Sequence, residues 1–231
     1  MSIIIGFVTR QCGIIASDGR QFGSARFENE RLIEKAKIIN ESFNKTFSLN
    51  DGKIIGASAG LTTFQEKRIS EHLEELIKEK WDENISIDEI IRNTIESLKT
   101  RLKKIENTEV LFEHRKVDII LISSKKLGLL IYSIRLLPNR DKQEIHIEFD
   151  VIPTNKKTQG IVYWKLFGDD SAQSSSIKYF DRVFKTINNT GRPFLIATIK
   201  KSISAGIAKA DIHPFGDDQS CGGQIFTREI I

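Results

Sequence analysis

The chain has 231 residues, of which 39% are hydrophobic and 29% charged, a balance that suits a globular protein with a sizeable core. Lysine and arginine outnumber aspartate and glutamate by only 35 to 31, so the net charge of +4 is weak support for a nucleic-acid partner. No basic segment followed by an apolar run opens the chain, and no apolar stretch has the length of a membrane span. We therefore predict a cytoplasmic protein without a nucleic-acid or membrane partner.

The cysteines and histidines also limit the chemistry that can be expected. Cys12 and Cys221 cannot supply a zinc ligand set at the usual spacings, and the 4 histidines are scattered. We expect no metal and no other cofactor. Reduced thiols are typical of the cytoplasm, although one long-range disulfide stays open. No linker or internal repeat stands out, so residues 1–231 are predicted to form a single domain.

In the first half of the chain, strands are predicted to precede two helices. Residues 3–8 and 12–17 are apolar on both faces, which is typical of strands covered on both sides, and a turn at 11–13 joins them. Residues 21–34 are polar and ambiguous. Further strands are predicted over 37–42, 45–49 and 53–58, and helices over 61–81 and from Ser86, where Glu89 completes a capping box.

The second half of the chain repeats this order. Strands are predicted over 117–123, 127–134, 144–152 and 161–167, helices over 171–188 and 193–209, and a last strand over 224–230. Blocks of strands that alternate with helix pairs indicate segregated layers and not an alternating βαβ fold. The sequence therefore favours an α+β fold built as a four-layer αββα sandwich.

Four segments, taken together, resemble proteasome-type N-terminal nucleophile (Ntn) hydrolases such as proteasome β-subunits and their bacterial homologues. The segments are SIIIGFVTRQCGIIASDGR, KIINESFNKTFSLNDGKIIGASAG, FGDDSA and DDQSCGGQIF. In that family a catalytic N-terminal residue precedes a strand, a turn and a second strand that ends in Asp-x-Arg. The resemblance covers the whole length and implies the Ntn-hydrolase fold, with two mainly antiparallel sheets between two helix pairs.

The resemblance implies that Ser2 becomes the nucleophile once Met1 is removed. A serine hydroxyl needs a base, and the α-amine of the same residue, with an ordinary pKa of about 7.7–8.0, can accept its proton. By resemblance, Lys37 lies beside the amine and lowers its pKa, with Lys35 as the other candidate. Asp18 would orient that lysine. Arg20 is a supporting residue, and a salt bridge between Asp18 and Arg20 at the strand end is the structural alternative.

Other expected site residues lie at glycine-containing turns. Gly60, between a predicted strand and a predicted helix, is the candidate oxyanion site, because a backbone amide at glycine is open to approach. Asp218 and Cys221 align with the Asp and Ser that lie near the amine in the family. Another alignment uses Asp217 and Ser220.

Two further pairs of residues are candidates for the same site. Gly168 and Asp169 stand where active members have a Gly followed by a Ser. A separate possibility is a Cys221 nucleophile with His213 as its base.

These residues lead to two functional hypotheses. The first is a threonine-protease-type hydrolase that cleaves peptide or amide bonds through Ser2, acting on peptides or unfolded proteins. Family members usually form rings, so a homo-oligomeric ring is expected, with an ATP-dependent unfoldase as a candidate partner. The second hypothesis is a non-catalytic proteasome-like subunit or a binding or assembly protein, which the departures at Asp169 and Cys221 favour.

Overall fold

The structure is a computed structural model, and it describes residues 2–9, 12–23, 25–106, 110–125, 128–153, 163–184 and 191–231. The strands are, in chain order, β1 (Ile3–Val8), β2 (Gly13–Ser17), β3 (Gln21–Phe22), β4 (Arg26–Glu28), β5 (Arg31–Glu34), β6 (Ile38–Asn40), β7 (Thr46–Leu49), β8 (Ile54–Gly60), β9 (Thr63–Phe64), β10 (Lys67–Arg68), β11 (Val117–Lys125), β12 (Gly128–Asn139), β13 (Glu144–Pro153), β14 (Tyr163–Gly168) and β15 (Phe226–Ile230). The helices are α1 (Ile69–Lys80), α2 (Ile87–Lys103), α3 (Asp170–Phe184) and α4 (Arg192–Ile207), with a short 3-10 helix at Phe112–His114.

Two large antiparallel sheets form the centre of the fold. One has four strands in the order β14-β1-β2-β15, and the other has five in the order β13-β12-β11-β8-β7. Every pairing between described strands is antiparallel. The mixed α+β class with antiparallel sheets is thus confirmed.

Three hydrophobic clusters connect the sheets and helices. One joins α1 and α2 to the five-stranded sheet through residues such as Leu73, Leu98 and Leu121. Another joins α3 and α4 to the four-stranded sheet, where Phe180 and Ile199 lie near β1 and β2.

The third cluster contains residues of both sheets, among them Ile4 and Ile15 on one side and Ile55 and Ile120 on the other. Strand β1 sends alternate side chains into two different clusters, which is why its sequence is apolar on both faces.

Local sequence signals account for several element boundaries. Asn50, Asp51 and Gly52 all have positive φ (49°, 54° and 87°) and form the turn between β7 and β8, as their residue types predict. Ser86 caps α2, since its hydroxyl accepts a hydrogen bond from the Glu89 amide at 3.2 Å. Pro193 lies in the first turn of α4.

Two predicted regions differ in the structure. The helix expected from Leu61 begins only at Ile69, because residues 63–68 form the β9–β10 hairpin. The ambiguous segment 21–34 and the following residues form two small antiparallel pairs, β3 with β6 and β4 with β5. Parts of the predicted strand at 161–167 and of the predicted helix at 171–188 lie outside the described residues.

Two further findings concern membrane-spanning helices and the two cysteines. Within the described ranges, no helix is both long and apolar enough to cross a membrane. Cys12 and Cys221 are both buried and both free, so the disulfide left open by the sequence is absent.

Candidate active site

A cavity of about 320 Å³ lies beside Ser2, immediately before β1. Its floor includes Ser2 and Lys45, and Gly60 lines it at the end of β8. The remaining lining residues come from segments 20–23, 25–36, 61–63, 110–116 and 213–215. Residues far apart in sequence therefore surround Ser2, the predicted nucleophile.

The backbone of Ser2 is fixed by its two neighbouring strands. Its carbonyl accepts a hydrogen bond from the Asp169 amide at 3.1 Å, and the Ile3 amide donates to Asp18 Oδ1 at 3.0 Å. Gly168 pairs with Ile3 at this point and has a φ of +140°. A Cβ atom at Gly168 would lie 1.8 Å from the Ser2 carbonyl oxygen, so only glycine permits this approach.

The Asp18 carboxylate is fully buried and accepts four hydrogen bonds. Oδ1 accepts from the Ile3 amide at 3.0 Å and from Lys45 Nζ at 2.8 Å. Oδ2 accepts from the Arg20 amide at 3.3 Å and from the Gly222 amide at 3.1 Å. Asp18 therefore ties the start of β1, the turn after β2 and the Gly222–Gly223 turn to one lysine.

That lysine is Lys45, and the prediction of Lys37 is wrong. Lys45 and Asp18 form an ion pair with side chains only 1% and 0% exposed, respectively. Lys37 is exposed and precedes β6. Lys35, the other candidate, is also exposed and pairs with Asp217 at 2.7 Å.

The intervening hairpins explain this error. Asp18 and Lys45 are 27 positions apart, and β3 to β6 occupy most of that separation. A usable signal was present in the sequence. Lys45 opens the predicted strand over 45–49, directly before β7, and the Asn50–Gly52 turn joins β7 to β8, which ends at Gly60.

Arg20 does not pair with Asp18 through its side chain. Its guanidinium binds Glu41 at 2.8 Å and donates to the Gln219 carbonyl at 2.9 Å. The predicted strand-end salt bridge is therefore absent, and only the Arg20 backbone contacts Asp18. The guanidinium instead holds the segment before β7 against the loop that contains Gln219, beside the cavity that Arg20 lines.

A buried carboxylate and a buried hydroxyl, from Asp169 and Ser220, pair with each other close to the Ser2 backbone. The Ser220 hydroxyl donates to Asp169 Oδ2 at 2.7 Å, and both residues are fully buried. Asp169 Oδ1 also accepts from the Ala172 amide in the first turn of α3, an arrangement typical of an acidic N-terminal cap.

Asp218 and Asp217 are both exposed and do not line the cavity. The placement of Asp218 in the site is therefore a wrong prediction. In the other alignment, Ser220 has the expected buried position and Asp217 does not. The carboxylate that Ser220 contacts is supplied by Asp169, at the end of a different strand.

The structure gives no support to a Cys221 nucleophile. Burial and the nearby Asp18 carboxylate raise the pKa of the Cys221 thiol to about 12, so this group is not ionised at neutral pH. Its Sγ lies 3.7 Å from the Ser220 hydroxyl. Burial lowers the pKa of His213 to about 4, and its Nδ1 accepts a hydrogen bond from the Phe215 amide at 3.1 Å.

Gly60 lies at the cavity as predicted, but without a helix behind it. Its φ is +83°, and a Cβ atom there would lie 2.4 Å from the Lys116 carbonyl oxygen. Because α1 begins only at Ile69, the helix N-terminus that was expected to strengthen the oxyanion site is not adjacent to Gly60. The Leu61 amide that follows Gly60 donates to the Lys116 carbonyl at 2.9 Å, so it is not the amide that could fill that role.

Sequence reasoning missed an aromatic wall of the cavity. Phe22 stacks on His213 with ring centroids 4.1 Å apart, and Phe27 meets Phe215 edge to face at 5.4 Å. His114 meets Phe215 in the same manner at 4.4 Å. These rings come from three separate segments, so no local sequence pattern predicts the cluster.

The segment that carries His114 is held by a buried arginine. Arg115 is 1% exposed, and its guanidinium donates to the Leu102, Lys103 and Val110 carbonyls at 3.1–3.4 Å. Two of these carbonyls belong to the C-terminal end of α2, where carbonyls lack helical partners. Arg115 thus fixes the 110–116 wall to that helix.

Comparisons with protein-family models and with curated protein sequences gave no significant match. Within the described part of the chain, no group of three or more His, Cys, Asp or Glu side chains is arranged to hold a metal ion.

Proposed function

We propose that this protein is an N-terminal nucleophile hydrolase that cleaves peptide or amide bonds through Ser2 after removal of Met1. The observation that carries the proposal is the buried Lys45–Asp18 ion pair, whose lysine lines the same cavity as Ser2. A buried cation held by a fully hydrogen-bonded carboxylate is costly to keep, and its place beside a hydroxyl favours a catalytic role.

In the proposed reaction, Ser2 Oγ attacks the substrate carbonyl and passes its proton to the α-amine of Ser2, directly or through water. Lys45 keeps that amine largely neutral by charge repulsion. The carbonyl oxygen becomes an oxyanion, which backbone amides near Gly60 stabilise. The C–N bond then breaks, and the leaving amine takes the proton from the α-ammonium. Water cleaves the resulting ester, which restores the Ser2 hydroxyl and releases the acid.

We also propose that the two sheets and the two helix pairs form a four-layer αββα sandwich. The mixed cluster of residues from both sheets supports this layering, as do the two clusters that each join one helix pair to one sheet. The close approach of Gly6 to Ile120 is a further support, since a Cβ atom on Gly6 would lie 2.4 Å from the Ile120 side chain.

Family resemblance alone supports assembly into a homo-oligomeric ring in the cytoplasm and an unfoldase partner. Size measurement of the purified protein would test the ring. A binding or assembly role is the second candidate, favoured by Asp169, whose carboxylate occupies the place of a family serine and is engaged by Ser220.

Substitution of Ser2 tests the proposed activity. A set of fluorogenic peptide amides would be assayed with the wild-type protein after Met1 removal and with Ser2→Ala. We expect Ser2→Ala to lower kcat/KM by at least about a thousandfold. Ser48→Ala, at an exposed serine of β7, is the matched control and should leave the rate unchanged. Equal activity of Ser2→Ala and the wild type would overturn the proposal.

A further inference from the structure

The size and the lining of the cavity beside Ser2 indicate which substrate side chain it can bind. Its volume of about 320 Å³ lies at the small end of the range for ligand pockets, about 300–1,000 Å³. A space of this size suits one large side chain beside a reacting carbonyl.

The charged residues that line the cavity are each paired within the chain. Lys45 binds Asp18 at 2.8 Å, and Arg20 binds Glu41 at 2.8 Å. An ion that already has a partner offers little to a charged substrate group, because recruiting it would break the existing pair.

The other two charged lining residues also have ion-pair partners. Lys116 lies 3.2 Å from Asp118, and Glu113 lies 3.6 Å from Arg140. Each of the four charged lining residues therefore has an ion-pair partner within this chain.

The other lining residues are uncharged, and five of them carry aromatic or imidazole rings. Phe22, Phe27 and Phe215 contribute rings, and His114 and His213 pack against them. Burial lowers the pKa of both histidines, so both rings are neutral at pH 7. Edge-to-face and stacked aromatic contacts favour a further ring at about the same separations.

We infer that this cavity binds a large, uncharged, preferably aromatic side chain of the substrate, on the residue whose carbonyl Ser2 attacks. The inference rests on the proposed function for the position of the attacked carbonyl. The pocket itself is defined by the lining residues alone, so its preference is measurable without hydrolysis.

The first measurement compares binding in the absence of reaction. Short N-acetylated peptide amides that differ only in one residue, Phe, Ala, Lys or Glu, would be titrated into Ser2→Ala. We expect the Phe peptide to bind at least about tenfold more tightly than each of the others. Equal affinities, or tighter binding of the Lys or Glu peptide, would overturn the inference.

A paired substitution locates the preference in the aromatic wall. Phe27→Ala should reduce the affinity ratio of the Phe peptide to the Ala peptide by about threefold or more. Leu32→Ala is the matched control, because Leu32 is paired with Phe27 in the β4–β5 hairpin, is 41% exposed and does not line the cavity. An unchanged ratio in Phe27→Ala would contradict the assignment.

The two proposals fail in distinguishable ways. Selective binding of the Phe peptide to Ser2→Ala, without hydrolysis of any peptide amide by the wild-type protein, supports the pocket and contradicts the hydrolase. Hydrolysis that depends on Ser2, with kcat/KM equal for the Phe and Ala peptides, supports the hydrolase and overturns the pocket.

Discussion

At the scale of single residues, Asp18 and Lys45 determine the electrostatics of the site. Each is a buried ion whose charge is balanced by the other, at 2.8 Å. Removal of one partner from such a pair costs about 3–5 kcal/mol, because an uncompensated charge remains in the interior. The joint replacement of both by neutral groups removes that penalty.

This pair gives a prediction that separates stability from catalysis. Lys45→Met should lower the free energy of unfolding by about 3–5 kcal/mol. Asp18→Asn combined with Lys45→Met should recover only part of that loss, because the unpaired charge is gone but the new amide NH2 faces at least one backbone N–H that donated to the carboxylate. Neither variant should recover peptide hydrolysis, since the cation beside Ser2 is missing in both. Denaturant unfolding and peptidase assays on the same preparations would measure the two effects.

The control for this experiment is Lys37→Met, at the exposed lysine that the sequence favoured. We expect a change within about 0.5 kcal/mol and normal hydrolysis. Loss of activity in Lys37→Met, together with full activity in the double variant, would show that the wrong lysine has been assigned.

His213 gives a second prediction at this scale, on pH dependence. Its pKa is lowered from 6.5 to about 4 in the folded protein by burial. The unfolded chain therefore binds more protons than the folded one between these values, and stability falls as the pH drops from about 6.5 to about 4. The His213 contribution to this fall is about 3 kcal/mol.

Thermal or denaturant unfolding across this pH window would measure the effect. His213→Gln should flatten the dependence, and His146→Gln, at an exposed histidine of β13, is the matched control. His72 and His114, whose pKa values are also lowered by burial, add to the slope in both variants. An identical slope in the wild type and His213→Gln would contradict the prediction.

At the scale of elements, the junction between β14 and α3 positions Ser2. Gly168→Ala should destabilise the fold strongly, by more than about 2 kcal/mol, because its Cβ atom would meet the Ser2 carbonyl and its φ is unfavourable for alanine. Gly191→Ala, where a new Cβ atom would lie 3.8 Å from Pro193 Cδ, should change stability little. Circular dichroism melts of both variants would compare them, and equal melting temperatures would refute this account of the junction.

The sequence predicted most elements, and the reasons for its failures are physical. Strands β1, β7 and β8 and the start of α2 follow from local signals, namely apolar runs, a turn with positive φ and a serine cap. Pairs β3–β6 and β4–β5 were missed, since strands of two to four largely exposed residues carry no buried periodicity.

The same missed pairs account for the misplaced lysine. They lengthen the path from Asp18 to the lysine, so alignment by spacing selected Lys37 and not Lys45. Ser2 and Gly60, each predicted from a motif next to a strand end, line the cavity. Asp18, predicted in the same way, lies behind the cavity lysine Lys45 and binds it. Asp169 and Ser220 meet only through tertiary structure, and no local pattern pairs them.

At the scale of the whole molecule, the central claim is that one cavity contains a nucleophile whose own α-amine is its base. Its direct test is the mass spectrum of the protein purified from its native host and incubated with an acylating β-lactone, followed by peptide mapping. The account predicts a chain that lacks Met1 and carries a single acyl group on Ser2. A native protein that retains Met1, or one that is not acylated at Ser2, would contradict it.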